Sequence, residues 1–454
     1  MNIKKTIFLS SFCILHSAFC INAETWNING SNFEVTTHRT ADSYPGCTIH
    51  TVVVGTGSNQ RKIWYWEVDL TAKNTGVKTF NPDNIRTTGT TVPNMATKMK
   101  DKGYDVRFGA NADLYSTYGP IGTTIMNGEI VKVAKQSTAW HAVGFDDDRK
   151  EVRLGTVTIN FAAKLNGTTE YAPSLVNVPM ASNETILYTS RWGSSTGTTK
   201  GANGLEILLK PEGGMLRSDG PTVCTVVQAP VKNGGDMKIP AGHIVLSTNI
   251  PSHITDLGLM KVGDTYTVTA SSINMSINSM SGYSFSKCTE LIGGDPILLA
   301  NGEKLSSYQT MPNYDTRRDR TAIGTDETHT KMYVLIVEKS SSSIGANAQE
   351  LASIMKCIGC YDALNFDGGG STTMWTSGAG VLNYCSDGSP RAVRNGIFVI
   401  FDPSNGIDDV MTDTDVDENA PIEYFNLQGE RVTNPTGGLY IKRQGRITSK
   451  VIIN

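Results

Sequence analysis

Histidine is scarce in this sequence: seven residues among 454, scattered singly along the chain. Scattered histidines offer neither a metal cluster nor a histidine-dependent triad, and no HExxH or GxSxG stretch occurs. Charge is thin as well. Asp, Glu, Lys and Arg make up 18% of residues, against roughly 25% in an average globular chain. A formal net charge of -3 supplies neither the basic footprint of a nucleic-acid partner nor a polybasic membrane patch. Beyond the N-terminus no apolar run approaches the ~20 residues of a membrane-spanning helix, so no transmembrane segment is expected. Helical periodicity is rare too. It is clearest over Val92 to Lys102 and over Asn347 to Lys356, where Gly359 offers a C-terminal cap. What the chain does have is glycine, 45 residues, above the usual ~7%, amid abundant Ser, Thr and Asn. With 39% hydrophobic residues, that composition excludes wholesale disorder and points to many tight turns between strands.

The first 23 residues read as a secretory signal peptide. Lys4 and Lys5 open a short basic start, an apolar run extends from Ile7 to about Cys20, and Ala23 offers a small residue before Glu24. Acylation at Cys20 is disfavoured by the bulk of Phe19. Removing this segment takes away two lysines and no acids, moving the net charge from -3 to -5. The protein is therefore expected to be exported, to the periplasm, the cell surface or the medium. Six cysteines would remain: Cys47, Cys224, Cys288, Cys357, Cys360 and Cys385. An even number in an exported chain suggests structural disulfides. Cys357-Ile-Gly-Cys360 stands alone as a CxxC and follows a helix rather than opening one, which argues against zinc or redox use.

A chain of this length ordinarily divides into two or three units. Here one strand-like pattern runs on through residue 402, typified by Ile63 to Leu70 and Met332 to Val337. Residues 24–402 are expected to form one large domain, residues 403–421 an acidic linker, and residues 422–454 a small β tail. Asp413-x-Asp415-x-Asp417 in the linker imitates a calcium loop, but Glu418 and Tyr424 stand where Gly and Glu are required. Glu423 to Gly429 and Gly438 to Ile441 resemble C-terminal sorting tails of Gram-negative secretion systems, so export machinery is an expected partner. The fold class is α+β: a strand-rich mixed-sheet core with few helices and a C-terminal β tail. Two helix–strand units echo each other. Ala96, Met99, Lys100 and Gly103 share the spacing of Ala352, Met355, Lys356 and Gly359, and each set leads through Tyr-Asp to an Asn-x-Asp triplet, Asn111-Ala112-Asp113 or Asn365-Phe366-Asp367. Such a repeat would suit two pseudo-symmetric halves with a site between them.

The second triplet runs into Gly368-Gly369-Gly370-Ser371-Thr372-Thr373. Glycines let a ligand approach the backbone closely, and successive amides in such a turn can converge into an anion nest. Ser371 and Thr372 add donors suited to phosphate or sugar hydroxyls. Asp367, just before the nest, could act as base, nucleophile or metal ligand. A plain glycine hairpin with solvated polar residues would have the same composition. Arg320 precedes a strand and, like Arg391 and Arg394 after the loop, could meet an anion. Gly293-Gly294-Asp295-Pro296 forms a second glycine turn, and Glu350 on the helix before the loop could point towards it. Gly55-Thr56-Gly57 lacks the third glycine of a dinucleotide fingerprint.

Asn365 to Met374 resembles the signature of the phosphodiester glycosidase family. Other segments follow in the family's order: Asn111 to Tyr115 with Gly119-Pro120-Ile121-Gly122, Tyr188-Thr189 with Trp192-Gly193, Ile292 to Pro296, Arg320 to Gly324, and Arg394. Ala112 and Asp295 depart from the usual small residues, and Leu114-Tyr115 from a usual aromatic pair. The resemblance implies hydrolysis of the C1–O bond of a glycosyl-1-phosphodiester, with N-acetylglucosamine the family's familiar sugar, giving free sugar and a phosphomonoester. Because phosphate is a good leaving group, the demanding tasks are phosphate binding and stabilisation of an oxocarbenium-like transition state. On this reading Asp367 is nucleophile or base and Asp113 its partner carboxylate. The substrate contacts are Asn111, Asp295, Arg320, Glu350, Asn365, Gly368, Gly369, Gly370, Ser371, Thr372 and Arg394. No cofactor or resident metal is required. The alternatives are a non-catalytic glycan- or sugar-phosphate-binding protein of the same fold, and a hydrolase or transferase whose cation sits on Asp367 and Asn365.

Overall fold

In the computed structural model, residues 24–402 and 421–453 are described, apart from residues 45, 87–88, 136–139, 202, 278–281, 427–430 and 445–446. The expected signal peptide and residues 403–420 of the expected linker lie outside the described residues.

Among the described residues, three large sheets and three α-helices form the body of the fold, with a four-stranded sheet and two short hairpins beside them. The first sheet has nine strands, in the spatial order Thr25–Ile28, Ser31–Tyr44, Cys47–Val54, Arg61–Asp69, Lys331–Val337, Arg320–Thr325, Asp362–Asn365, Ile297–Ala300 and Glu303–Lys304. Its central strands read as unbroken apolar runs because both faces are covered. Ile63 and Tyr65 face one way, joining Tyr333, Leu335 and Val337 against a helix. Trp66 and Val68 face the other, joining Met332, Val334 and Ile336. Alternate residues of one strand thus feed two separate cores.

Helix α1 (Val92–Asp101) begins at Thr91, whose side chain accepts the Asn94 amide. Helix α2 (Pro251–Leu257) is a short element that the sequence pattern does not signal. Helix α3 (Ala348–Cys357) begins with a capping box between Asn347 and Glu350 and ends before Gly359 at φ 94°, a left-handed position that favours glycine. Both longer helices fall within a residue or two of their expected bounds. Helix α3 covers the first sheet through Ala348, Leu351, Ala352, Ile354 and Met355. Helix α1 packs Val92, Met95, Ala96 and Met99 against Phe80, Val106, Phe398 and Ile400. Those partners belong to a five-stranded sheet ordered Gly380–Val381, Met374–Thr376, Asp105–Asn111, Gly396–Phe401 and Thr75–Phe80.

The largest sheet runs from Glu129–Lys132 through Glu290–Gly294, His141–Asp146, Glu151–Leu165 and Thr265–Ser276 to Leu175–Val176. A bridge between Val133 and Val176 joins its two ends into a near-barrel, filled by Ile125, Leu187, Ile207, Leu246, Tyr266 and their neighbours. Leu175–Val176 pairs parallel with Thr185–Thr189, and the other described pairings of this sheet are antiparallel. Ile422–Phe425, Arg431–Val432, Gly438–Gln444 and Ile447–Ile453 form a separate four-stranded sheet. No described helix is long and apolar enough to cross a membrane.

The expected disulfides are a point of correction. All six described cysteines are free thiols. Cys224 and Cys288 pack inside the near-barrel, Cys47 between sheets and Cys360 beneath α3. Each serves as a small apolar side chain.

Candidate active site

Strand ends from all three sheets converge on the two Asn-x-Asp triplets. Asp105–Asn111 delivers the first and Asp362–Asn365 the second, and the two interlock. The Asp367 amide donates to the Ala112 carbonyl at 2.8 Å, and Asn111 Nδ2 donates to the Asp367 carbonyl at 2.7 Å. Asn111 Oδ1 accepts from Thr321 Oγ1 at 2.9 Å and from the Thr373 amide at 3.0 Å. Asn111 is thus a brace holding the glycine loop. The internal echo has a physical outcome, because the two helix–strand units place their acidic triplets side by side.

A cavity of about 240 Å³ opens beside Asp367, walled by Asn365, Phe366, Gly368, Gly369, Gly370, Arg320, Arg391 and the Met311–Asn313 loop. Asp367 is half-buried. Burial pushes its carboxyl above the ordinary range, opposed by hydrogen bonds from Ser371 and the Gly368 amide and by the charges of Arg391 and Arg320. Asn365 donates through Nδ2 to the Asp295 carbonyl at 2.7 Å. Its buried Oδ1, on the cavity-lining residue, has no hydrogen-bond partner among the described residues.

The glycine loop is a less open nest than its composition suggests. The Gly368 amide donates to Asp367 Oδ1 at 3.0 Å, the Gly369 amide to the Asp319 carbonyl at 2.9 Å, and the Ser371 and Thr372 amides close a turn on Gly368 and Gly369. Gly370 remains, and its missing side chain leaves room for the Arg391–Asp387 ion pair. A Cβ there would stand 2.1 Å from Arg391 Nη2 and 2.4 Å from Asp387 Oδ1. Arg391 donates to Asp387 at 2.7 Å and to Ser371 Oγ at 3.4 Å, so its guanidinium lies across the loop at the cavity wall.

Two expected substrate contacts are employed otherwise. Arg320 Nε donates to the Ala346 carbonyl at 3.0 Å, Nη1 to Pro312 at 3.4 Å, and Nη2 to Asn313 at 2.6 Å and Thr316 at 2.9 Å. Four of its donors are spent on carbonyls, and burial lowers its pKa to about 10. Its main work is to hold the loop over the cavity. Glu350 does not line the cavity. It pairs with Arg61 at 2.6 Å and Arg317 at 2.7 Å while capping α3, because its position in the first helical turn faces the buried Arg61. Arg394 lies 5.8 Å from the Tyr115 ring centroid, with a buried Nη1 that has no partner among the described residues.

Asp113 is 1% exposed and sits behind the cavity. Its Oδ2 accepts the Gly122 amide at 2.7 Å and its Oδ1 the Trp140 Nε1 at 2.9 Å. Its amide donates to Asn395 Oδ1 at 2.9 Å. Burial drives the Asp113 carboxyl upward and the nearby Lys132 ammonium downward, while Lys132 donates to the Pro120 carbonyl. Asp295 Oδ1 lies 2.7 Å from His141 Nδ1, and its Oδ2 has no described partner. Lys132, Trp140, His141 and Asn395 carry no signal in the sequence. Each is a lone residue brought to its partner by the fold, as when His141 pairs with Gly294 across adjacent strands. Among the described residues, no group of three or more His, Cys, Asp or Glu side chains is placed to hold a metal ion.

The sequence of residues 221–400 matches the family model described as phosphodiester glycosidase. That segment carries a phosphodiester glycosidase domain. The phosphodiester glycosidase match takes in Asp295, Arg320, the glycine loop, Arg391 and Arg394, and leaves Asn111 and Asp113 upstream of it. No curated protein matches the chain. Among solved structures, a hypothetical protein from Synechocystis aligns with a TM-score of 0.59 and 18% identity over 80% of this chain; the chain spans 64% of that protein's length. A candidate exported protein from Burkholderia pseudomallei K96243 aligns with a TM-score of 0.58 and 13% identity, over 83% of this chain and 100% of the other. The catalytic domain of zebrafish N-acetylglucosamine-1-phosphodiester alpha-N-acetylglucosaminidase aligns with a TM-score of 0.36 and 15% identity, over 80% of this chain and 88% of that domain. At these identities the first two likenesses concern the fold.

Proposed function

We propose that the protein is an exported hydrolase that cleaves the sugar C1–O bond of a glycosyl-1-phosphodiester, releasing free sugar and a phosphomonoester. The observation that carries this reading is Asp367, a carboxylate beside a cavity whose far wall is Arg391 lying over Gly370. A phosphate group seated on Arg391, the Gly370 amide and Ser371 would leave C1 facing Asp367. Asp367 either attacks C1 or takes a proton from the water that does. The C1–O bond breaks with its electron pair going to the phosphate, and Arg391 stabilises the charge that develops there. When Asp367 attacks first, water then releases the sugar from the carboxylate. Asp113 acts as a positioning residue, tying the Asn111–Gly122 segment and Trp140 behind the loop.

A second reading, sugar-phosphate binding without turnover, is favoured by the engagement of Arg320 with four carbonyls, which removes one expected cation from the phosphate. Hydrolysis of a synthetic sugar-1-phosphodiester decides between the two. Asp367→Asn is expected to lower kcat at least about a hundredfold, while binding of a non-hydrolysable analogue persists. Undiminished turnover in that variant would eliminate the assignment of Asp367. Tight binding by wild type, with no product from a broad substrate panel, would establish the second reading.

A further inference from the structure

A second cleft, wider than the Asp367 cavity, lies elsewhere. A cavity of about 450 Å³ is lined by Arg86, Tyr118, Trp192, Thr196, Thr198 and Glu206 with their neighbours, and shares no lining residue with the Asp367 cavity. Its volume falls within the roughly 300–1,000 Å³ of small-molecule sites.

Three features give this cleft a recognisable chemistry. Tyr118 is 46% exposed and stacks on Trp192, centroids 6.1 Å apart and planes 10° from parallel. An aromatic face held in place by a second ring suits the apolar face of a pyranose. The exposed Arg86 guanidinium lies 4.6 Å from the Trp192 ring centroid and forms no salt bridge with a described carboxylate, so a planar cation is held ready at the rim. The floor is Glu206, 3% exposed. It accepts from Thr196 Oγ1 at 2.7 Å, Thr198 Oγ1 at 2.8 Å, the Met237 amide at 3.0 Å and Ser247 Oγ at 3.5 Å. Thr198 Oγ1 also accepts the Asp236 amide at 2.9 Å; with the hydroxyl protons turned to Glu206, the remaining lone pairs suit a ligand rich in O–H donors.

We propose that this cleft binds an acidic oligosaccharide, one sugar ring stacking on Tyr118 and a carboxylate or other acidic substituent pairing with Arg86. The site is physically linked to the Asp113 region. Tyr118 stands at the tip of the hairpin formed by Tyr115–Ser116 and Gly119–Pro120, and the base of that hairpin is closed by the Gly122 amide on Asp113 Oδ2. A glycan held in the cleft would therefore rest on the same hairpin that backs the Asp367 loop. This inference does not depend on turnover at Asp367, and its test reads binding alone.

The experiment is calorimetry with a hexasaccharide of alternating N-acetylglucosamine and glucuronic acid, compared with neutral chitohexaose. Wild type is expected to bind the acidic probe more tightly than the neutral one. Arg86→Ala should weaken acidic binding about tenfold, and Tyr118→Ala about three- to tenfold, with hydrolysis of a small sugar-1-phosphodiester unchanged. Both side chains are exposed; Arg86→Gln replaces Arg86→Ala should the latter fail to fold. The proposal is overturned by no binding of the acidic probe, by equal binding of both probes, or by full affinity in both variants.

Discussion

Asp367 and Arg391 work against each other in a way that can be read in a pH profile. Burial pushes the Asp367 carboxyl up, and Arg391 is among the charges that pull it back down. If the ionised carboxylate is the working form, activity falls as pH drops through its pKa in the folded protein. The acid limb of kcat/KM is then expected above the ordinary Asp value of about 3.9. Arg391→Gln removes a favourable charge, so it should move that limb to still higher pH as well as weaken turnover. A limb at or below the ordinary value, or one unmoved in Arg391→Gln, would count against Asp367 as the ionising group. Gly370 shows how far residue-scale reading extends. Three glycines beside hydroxyls are visible in the sequence. That the third lies under an arginine 21 positions later follows only from the fold. Arg320 teaches the converse: an arginine before a strand was legible as anion-facing, but the carbonyls of a loop without pattern occupy it.

At the scale of elements, α3 is where sequence and structure part over one residue. Its extent was legible because the helical pattern runs up to Gly359, a strong cap signal. The direction of Glu350 was not, since its decisive partner Arg61 lies 289 positions away on a strand of the first sheet. Arg61 is fully buried, so the pair fastens α3 to the first sheet. Glu350→Gln is expected to cost about 3 kcal/mol or more, as when one partner of a buried ion pair is removed, measured by urea unfolding. kcat/KM per folded molecule should be unchanged. A large loss of activity with intact stability would restore Glu350 to the site. The pH dependence has a definite sign. Burial pushes the Glu350 carboxyl up, but hydrogen bonds from Arg317 and the Asn347 amide and the charge of Arg61 outweigh it, leaving the pKa below its ordinary value. Its stabilising contribution is present above the unfolded pKa of about 4.3 and is lost as pH falls through the lower folded value. Glu350→Gln should therefore flatten the acid end of the stability curve.

Across the whole molecule, the strand-rich class and the two acidic triplets were legible because alternation and short repeats are local. The closure of the near-barrel at Val133 and Val176 and the meeting of three sheets behind Asp113 were not, because they join segments far apart in sequence. Cysteine is the clearest case of a whole-molecule property misread from a count. An even number in a chain expected to be exported favours bridges, yet four of these thiols pack as core residues and Cys357 is only partly buried. Burial pushes Cys47 and Cys224 up to about 12, and Cys288 and Cys360 well above their ordinary value. At neutral pH such groups are almost wholly protonated, poor nucleophiles and slow to oxidise. Protein lacking the first 23 residues, purified without reductant, is therefore expected to show six titratable thiols in guanidinium and little reaction when native. Its thermal midpoint should not respond to dithiothreitol. Recovery of four thiols or fewer, or a midpoint that falls on reduction, would show that a bridge forms after all. With six thiols found, the stability of this fold rests on its covered sheets and on buried pairs such as Arg61 with Glu350.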